Sequence, residues 1–147
     1  MPESIRQFIG VKDVAFTPEG GSQIVFPMQD GDVVEHRVLT EEIRHTPASG
    51  RHVCFAHTAR VIEEVVVHCK DYSLLDDPGL AVGTVGTLTY TLVGAGLADG
   101  NDRVVSATAK VAAPSAWPGT DGTHPSRGSV RFILISPDGT TDPKAIT

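Results

Sequence analysis

The cleanest hydrophobic pattern in the chain runs from Val82 to Val93, where threonine alternates with large apolar residues from Thr87 onward. Successive side chains of a strand point to opposite faces, so Thr87, Thr89 and Thr91 share one face while Leu88, Tyr90 and Leu92 share the other. The pattern predicts a strand with one buried and one polar side. Gly83 and Gly86 just before it predict a bend or a close backbone approach. Arg103 to Val111 repeats the alternation, with Val105, Ala107, Ala109 and Val111 on one face and Ser106, Thr108 and Lys110 on the other. Gly94 to Asp102 carries turn residues, so the two segments are expected to pair as an antiparallel hairpin with matched faces.

The rest of the chain reads as further short strands. Val11 to Thr17 places Val14 and Phe16 on one face and stops at Pro18-Glu19-Gly20-Gly21, after which Ser22 to Phe26 returns as a hairpin partner. Val33 to Leu39 is a third strand, extended through Ile43. Thr46 to Ala59 holds Pro47, Ser49 and Gly50 and is expected to be a long loop. Arg60 to Cys69 is rich in β-branched residues, with apolar side chains on both faces, and predicts a strand covered on both sides, in part by another subunit. Asp71 to Asp77 is the one helical candidate, ended by Pro78-Gly79. Ala113 to Ser126, with three prolines and two glycines, is expected to be an irregular loop. Arg127 to Ser136 is the last strand, closed by Pro137-Asp138-Gly139-Thr140. Met1 to Gly10 is expected to be a mobile arm.

Composition narrows the class. The 147 residues suit a single domain with its own core. With 15 glycines, 10 prolines and 5% aromatic residues, many strands and turns are favoured over long helices. Lys and Arg total 12 against 18 Asp and Glu, a net charge of −6, so the basic field needed to hold nucleic acid phosphates is missing. Two cysteines and no signal-like or long apolar segment predict synthesis in a reducing cytoplasm and no membrane span.

Candidate chemistry is sparse. His52, Cys54, His57, His68 and Cys69 are metal-ligating types, but their spacing is not that of a finger or ribbon, and His68 and Cys69 point to opposite faces of a strand. Reduced core cysteines and exposed histidines are the plainer reading, and no metal or cofactor is expected. A nucleophilic Cys54 or Cys69 would need an orienting group and an oxyanion site, and the sequence identifies neither. The acidic pairs Glu63-Glu64 and Asp76-Asp77 suit solvated or subunit-contact positions better than acid and base work. Gly83-Thr84-Val85-Gly86 lacks the lysine of a phosphate loop and precedes a strand.

Three stretches in order carry a resemblance: Gly10 to Gly21, Pro78 to Thr91 with its Gly-Thr-Val-Gly-Thr-Leu-Thr core, and Gly128-Ser129-Val130 through Pro137-Asp138-Gly139-Thr140-Thr141-Asp142-Pro143. Together they resemble the tail tube proteins (major tail proteins) of long-tailed bacteriophages and related prophages. Glu41 to His57 and Ala113 to Ser126 take no part in the likeness. The resemblance implies a β-sandwich or partly open barrel of antiparallel strands with a short flanking helix. It also implies a structural subunit rather than an enzyme, assembled as stacked hexameric rings in the virion tail. Its partners would be further copies of itself and other tail proteins such as the tape measure and terminator, with DNA passing through the lumen unbound. Thr87, Thr89, Thr91, Ser106, Thr108 and Lys110 would then face the lumen, and Val53, Phe55, Glu63 and Val66 would make subunit contacts. The alternative is a stand-alone β-sandwich, a virion decoration or receptor-binding module, for which Trp117 is the best anchor.

Overall fold

A computed structural model describes residues 8–29, 31–69, 77–119 and 127–147, with backbone alone over 113–119 and at 127. Its strands are β1 (Val11–Pro18), β2 (Ile24–Phe26), β3 (Val33–His45), β4 (Phe55–Cys69), β5 (Val85–Leu92), β6 (Arg103–Gly119), β7 (Arg127–Leu134) and β8 (Lys144–Ile146). They form one antiparallel sheet in the order β2-β1-β5-β6-β7-β4-β3, with β8 paired to β6 off this path. The sheet is not closed into a barrel. It nevertheless curls strongly, because residues far apart in strand order meet across its concave side. Phe16 on β1 and Phe132 on β7 have ring centroids 4.9 Å apart, and Phe26 meets Phe132 edge-on at 6.3 Å.

The core fills that concave side and follows from strand alternation. Val14 and Phe16, Leu88 and Tyr90, Val105, Ala107, Ala109 and Val111, and Val130 and Phe132 all turn inward and are buried. Each large side chain so buried contributes roughly 1.5–3 kcal/mol. Strand β5 pairs with β6 in the expected register, Leu88 opposite Ala107 and Thr89 opposite Ser106. Gly86 lies against β1, where a Cβ would run into the Thr17 carbonyl. This is the close backbone approach expected before the threonine strand. Strands β1 and β2 form the expected hairpin. Asp13 adopts φ 53° at the register shift between Lys12 and Ala15, a conformation that Asp tolerates better than most residues.

Three sequence expectations need correction. First, the Thr46 to Ala59 loop is shorter, because β3 and β4 stay paired as far as His45 opposite Phe55, leaving 46–54 as the connection. Second, the prolines of Ala113 to Ser126 do not stop β6. It runs on to Gly119 against β7, and three register shifts absorb the irregular positions. Third, the last strand stops at Leu134 and resumes as β8. Thr108 bridges the two pieces: its N–H donates to the Pro143 carbonyl at 3.1 Å, and its carbonyl accepts from Ile135 N–H at 3.0 Å. Strand β8 thus continues the line of β7 along β6 after the 136–143 loop.

Within the single chain, β4 is covered on both sides only near its end. Val65, Val66 and Val67 are buried, whereas Val61 and Ile62 are exposed. Pairing with β7 reaches only Glu64, opposite Ile133, so earlier residues have β3 alone beside them. The expected helix over Asp71 to Asp77 lies outside the described residues except Asp77, which caps a 3-10 turn at Pro78–Leu80 by accepting from Gly79 N–H. Residues 1–7 of the expected arm also lie outside. Ile9 donates to Val93 at 3.1 Å, and Val93 in turn donates to Gly10 at 2.9 Å.

Candidate functional site

Two surfaces and one buried polar cluster stand out. The first surface is the convex face of β5 and β6. Alternation turns Thr87, Thr89, Ser106, Thr108 and Lys110 away from the core, with Thr87, Thr108 and Lys110 exposed and Thr89 and Ser106 half-buried. Thr91 departs from this set: it is buried, set between Lys12 and Val104 in the register. The face is therefore a patch of hydroxyls with one cation. At its rim Lys12 pairs with Asp102 at 2.9 Å, and Asp102 also accepts from Gly94 N–H at 2.9 Å. Those bonds, the backbone one first, hold the Asp102 carboxyl below its usual range.

The second surface is the outer part of the β3–β4 hairpin. Beyond Glu64 no third strand among the described residues pairs with it, leaving a two-stranded ribbon, and such ribbons are at best marginally stable alone in water. It nonetheless exposes Val38, Leu39, Ile43, Phe55, Val61 and Ile62, each more than 40% accessible. Phe55 and His57 lie with rings parallel, centroids 6.4 Å apart. Thr58 Oγ1 donates to Glu42 at 2.7 Å, and Arg60 sits 3.8 Å from Glu41. A register shift between Glu41 and Glu42 marks the middle of the ribbon, and Cys54 N–H closes its end on the His45 carbonyl at 2.9 Å.

The four residues expected at subunit contacts divide between these environments. Val53 and Phe55 are exposed, at 51% and 56%, on or beside the ribbon. Glu63 and Val66 are buried within the chain, so their cover is intramolecular. The reason for Glu63 is visible. Its carboxylate accepts from Lys144 Nζ at 2.7 Å, and His36 Nε2 stands 3.5 Å away, outside hydrogen-bond geometry. His36 Nδ1 lies 2.9 Å from the Tyr90 hydroxyl. Lys144 also pairs with Asp142 at 3.3 Å.

These groups perturb one another in consistent directions. The bond to Glu63 is the main cause holding the Lys144 ammonium above its ordinary range. Burial first, then the charge of Glu63, pushes the Tyr90 phenol up. The cluster spans β3, β4, β5 and β8, and it borders a cleft of about 760 Å³ between 58–63 on β4 and the 136–143 loop. Nothing in the sequence joined residues as distant as Glu63 and Lys144. The one available signal was a glutamate inside a run of valines on a core-facing strand.

The candidate metal and nucleophile residues do not converge. Cys54 and His57 lie toward the outer end of the ribbon and His68 and Cys69 at the opposite end of β4, a separation on the order of 40 Å for a strand of this length. His68 is 3.4 Å from Glu35, and Cys69 Sγ donates to the Pro27 carbonyl at 3.7 Å. Neither cysteine is in a disulfide. Among the described residues no group of three or more His, Cys, Asp or Glu could hold a metal ion. No helix among them is long and apolar enough to cross a membrane. The side chain of Trp117 lies outside the described residues. No protein-family model matches the chain, and none of the curated proteins matches it in sequence.

Proposed function

We propose that this chain is a structural subunit of a bacteriophage-type tail tube, closing into hexameric rings that stack into a hollow conduit for DNA. The observation that carries the reading is the projecting ribbon. Six large apolar residues, Val38, Leu39, Ile43, Phe55, Val61 and Ile62, are exposed on a pair of strands that no third strand among the described residues joins before Glu64. Exposed apolar surface of this kind marks a docking site, and further copies of the chain are the partner that the three-stretch resemblance implies. The hydroxyl face of β5 and β6 supports the same reading, because a wall of Thr and Ser offers DNA phosphates little attraction, as does the net charge of −6. The further partners that the resemblance implies are the other proteins of the virion tail, such as the tape measure and terminator. The role is structural and not enzymatic.

Sedimentation velocity over a concentration series tests the proposal. Assembly gives large species that grow with concentration. A single 15.5 kDa species at every concentration would favour a stand-alone module instead.

A further inference from the structure

We propose that β8 is a proton-linked latch: Lys144 and a protonated His36 compete for the Glu63 carboxylate, so acidification releases β8 from the edge of β6. The inference does not depend on the tube reading. It begins with the weakness of β8, a strand of three residues whose Ile146 is 57% exposed. Its backbone ties to β6 beyond the ladder are the reciprocal bonds of Val104 and Thr147, at 2.9 and 3.0 Å, and Thr108 N–H on Pro143. Its one buried tie is Lys144 on Glu63, whose side chain is 8% exposed.

His36 is placed to take over. Its Nε2 is buried without a hydrogen-bond partner, 3.5 Å from the same Glu63 oxygen that Lys144 holds. The groups that face it are Glu63 from β4, the Tyr90 hydroxyl from β5, Lys144 from β8, and the charge of Asp142 from the preceding loop. Its chain neighbours Glu35 and Arg37 pair with each other at 2.8 Å.

With β8 docked, Lys144 already holds the Glu63 oxygen that a protonated His36 would bond, and the repulsion of its ammonium works against the attraction of the Asp142 carboxylate. With β8 gone, Glu63 is a carboxylate without its cation, and an imidazolium satisfies it. Nε2–H then donates to Glu63 and Nδ1–H to the Tyr90 oxygen. Release of the strand and uptake of one proton therefore favour each other. The loop that tethers β8 is not the sensor. Asp138 accepts from Thr140 N–H, Thr141 N–H, Thr141 Oγ1 and Ser136 Oγ. These bonds keep its carboxyl well below the usual range, so it stays ionised throughout.

Hydrogen exchange of the intact chain between about pH 7.5 and about pH 5.5, the range in which an imidazole titrates, reads the latch after correction for intrinsic rates. The amides of Val104, Thr108 and Thr147 should lose protection by about tenfold on acidification, a typical coupling between two sites. Those of Leu88 and Tyr90 should not change. His36→Gln should abolish the pH dependence, and Lys144→Met should expose Val104 and Thr147 at both pH values while the β5–β6 amides stay protected. Protection that does not vary with pH in the parent chain, or that varies equally in His36→Gln, overturns the proposal. Should His36→Gln not fold, Lys144→Met with parental protection at Val104 overturns it on its own.

Discussion

At the scale of single residues, the two faces of β5 and β6 make opposite demands. Leu88 is fully buried, so Leu88→Ala should destabilise the chain by about 2–5 kcal/mol in denaturant unfolding, the range for a truncated core leucine. Thr108→Lys, on the exposed face, should shift stability by no more than about 0.5 kcal/mol. Equal losses in the two variants would show that the hydroxyl face is packed rather than open. Asp138 adds a pH prediction. Its carboxyl is depressed in the folded chain by bonds from the Thr141 and Thr140 backbone before any others. The stability it contributes is therefore complete above its unfolded value of about 3.9 and is lost only as pH falls from there through the lower folded value. Thermal melts of Asp138→Ala should lie below those of the parent at neutral pH and approach them only under strong acid.

At the scale of elements, the long hairpin is where sequence and structure diverge most usefully. The β1–β2 hairpin and the β5–β6 faces were legible because each rests on local alternation and a turn signal. The outer half of β4 was not, since Pro47, Ser49 and Gly50 mark the turn while Phe55 to Ala59 carries no clear period. Its strand state comes from pairing with β3. The far half of β6 was hidden by its prolines, and β8 by its length and by the Pro-Asp-Gly segment that separates it from β7. The Glu63–Lys144 pair was illegible for a different reason: it joins residues 81 positions apart, and no local pattern encodes such a meeting. The ribbon itself is expendable to the fold. Joining Thr40 to Val61, which are register partners, through Asn-Gly should leave the melting transition nearly unchanged, since the residues removed are exposed. The same variant, which lacks Ile43 and Phe55 but keeps Val38, Leu39, Val61 and Ile62, should form fewer large species in sedimentation than the parent. A shortened chain that assembles as fully as the parent would show that Ile43 and Phe55 make no subunit contact.

At the scale of the whole molecule, a curled sheet completes its own core and leaves two surfaces uncovered, a hydroxyl face on β5 and β6 and an apolar ribbon on β3 and β4. Lysine substitutions at Thr87 and Thr108 should preserve assembly. They should also make the assembled particles retain duplex DNA in a salt-dependent way, because each added cation on the wall attracts phosphate and is screened by added ions. Retention that is unchanged by these substitutions would put the hydroxyl face on the outside. Electron microscopy of the concentrated protein in negative stain tests the central claim most directly. Rings of uniform diameter with a stain-filled centre, and tubes of stacked rings at higher concentration, are the predicted result. Separate compact particles at every concentration would contradict it.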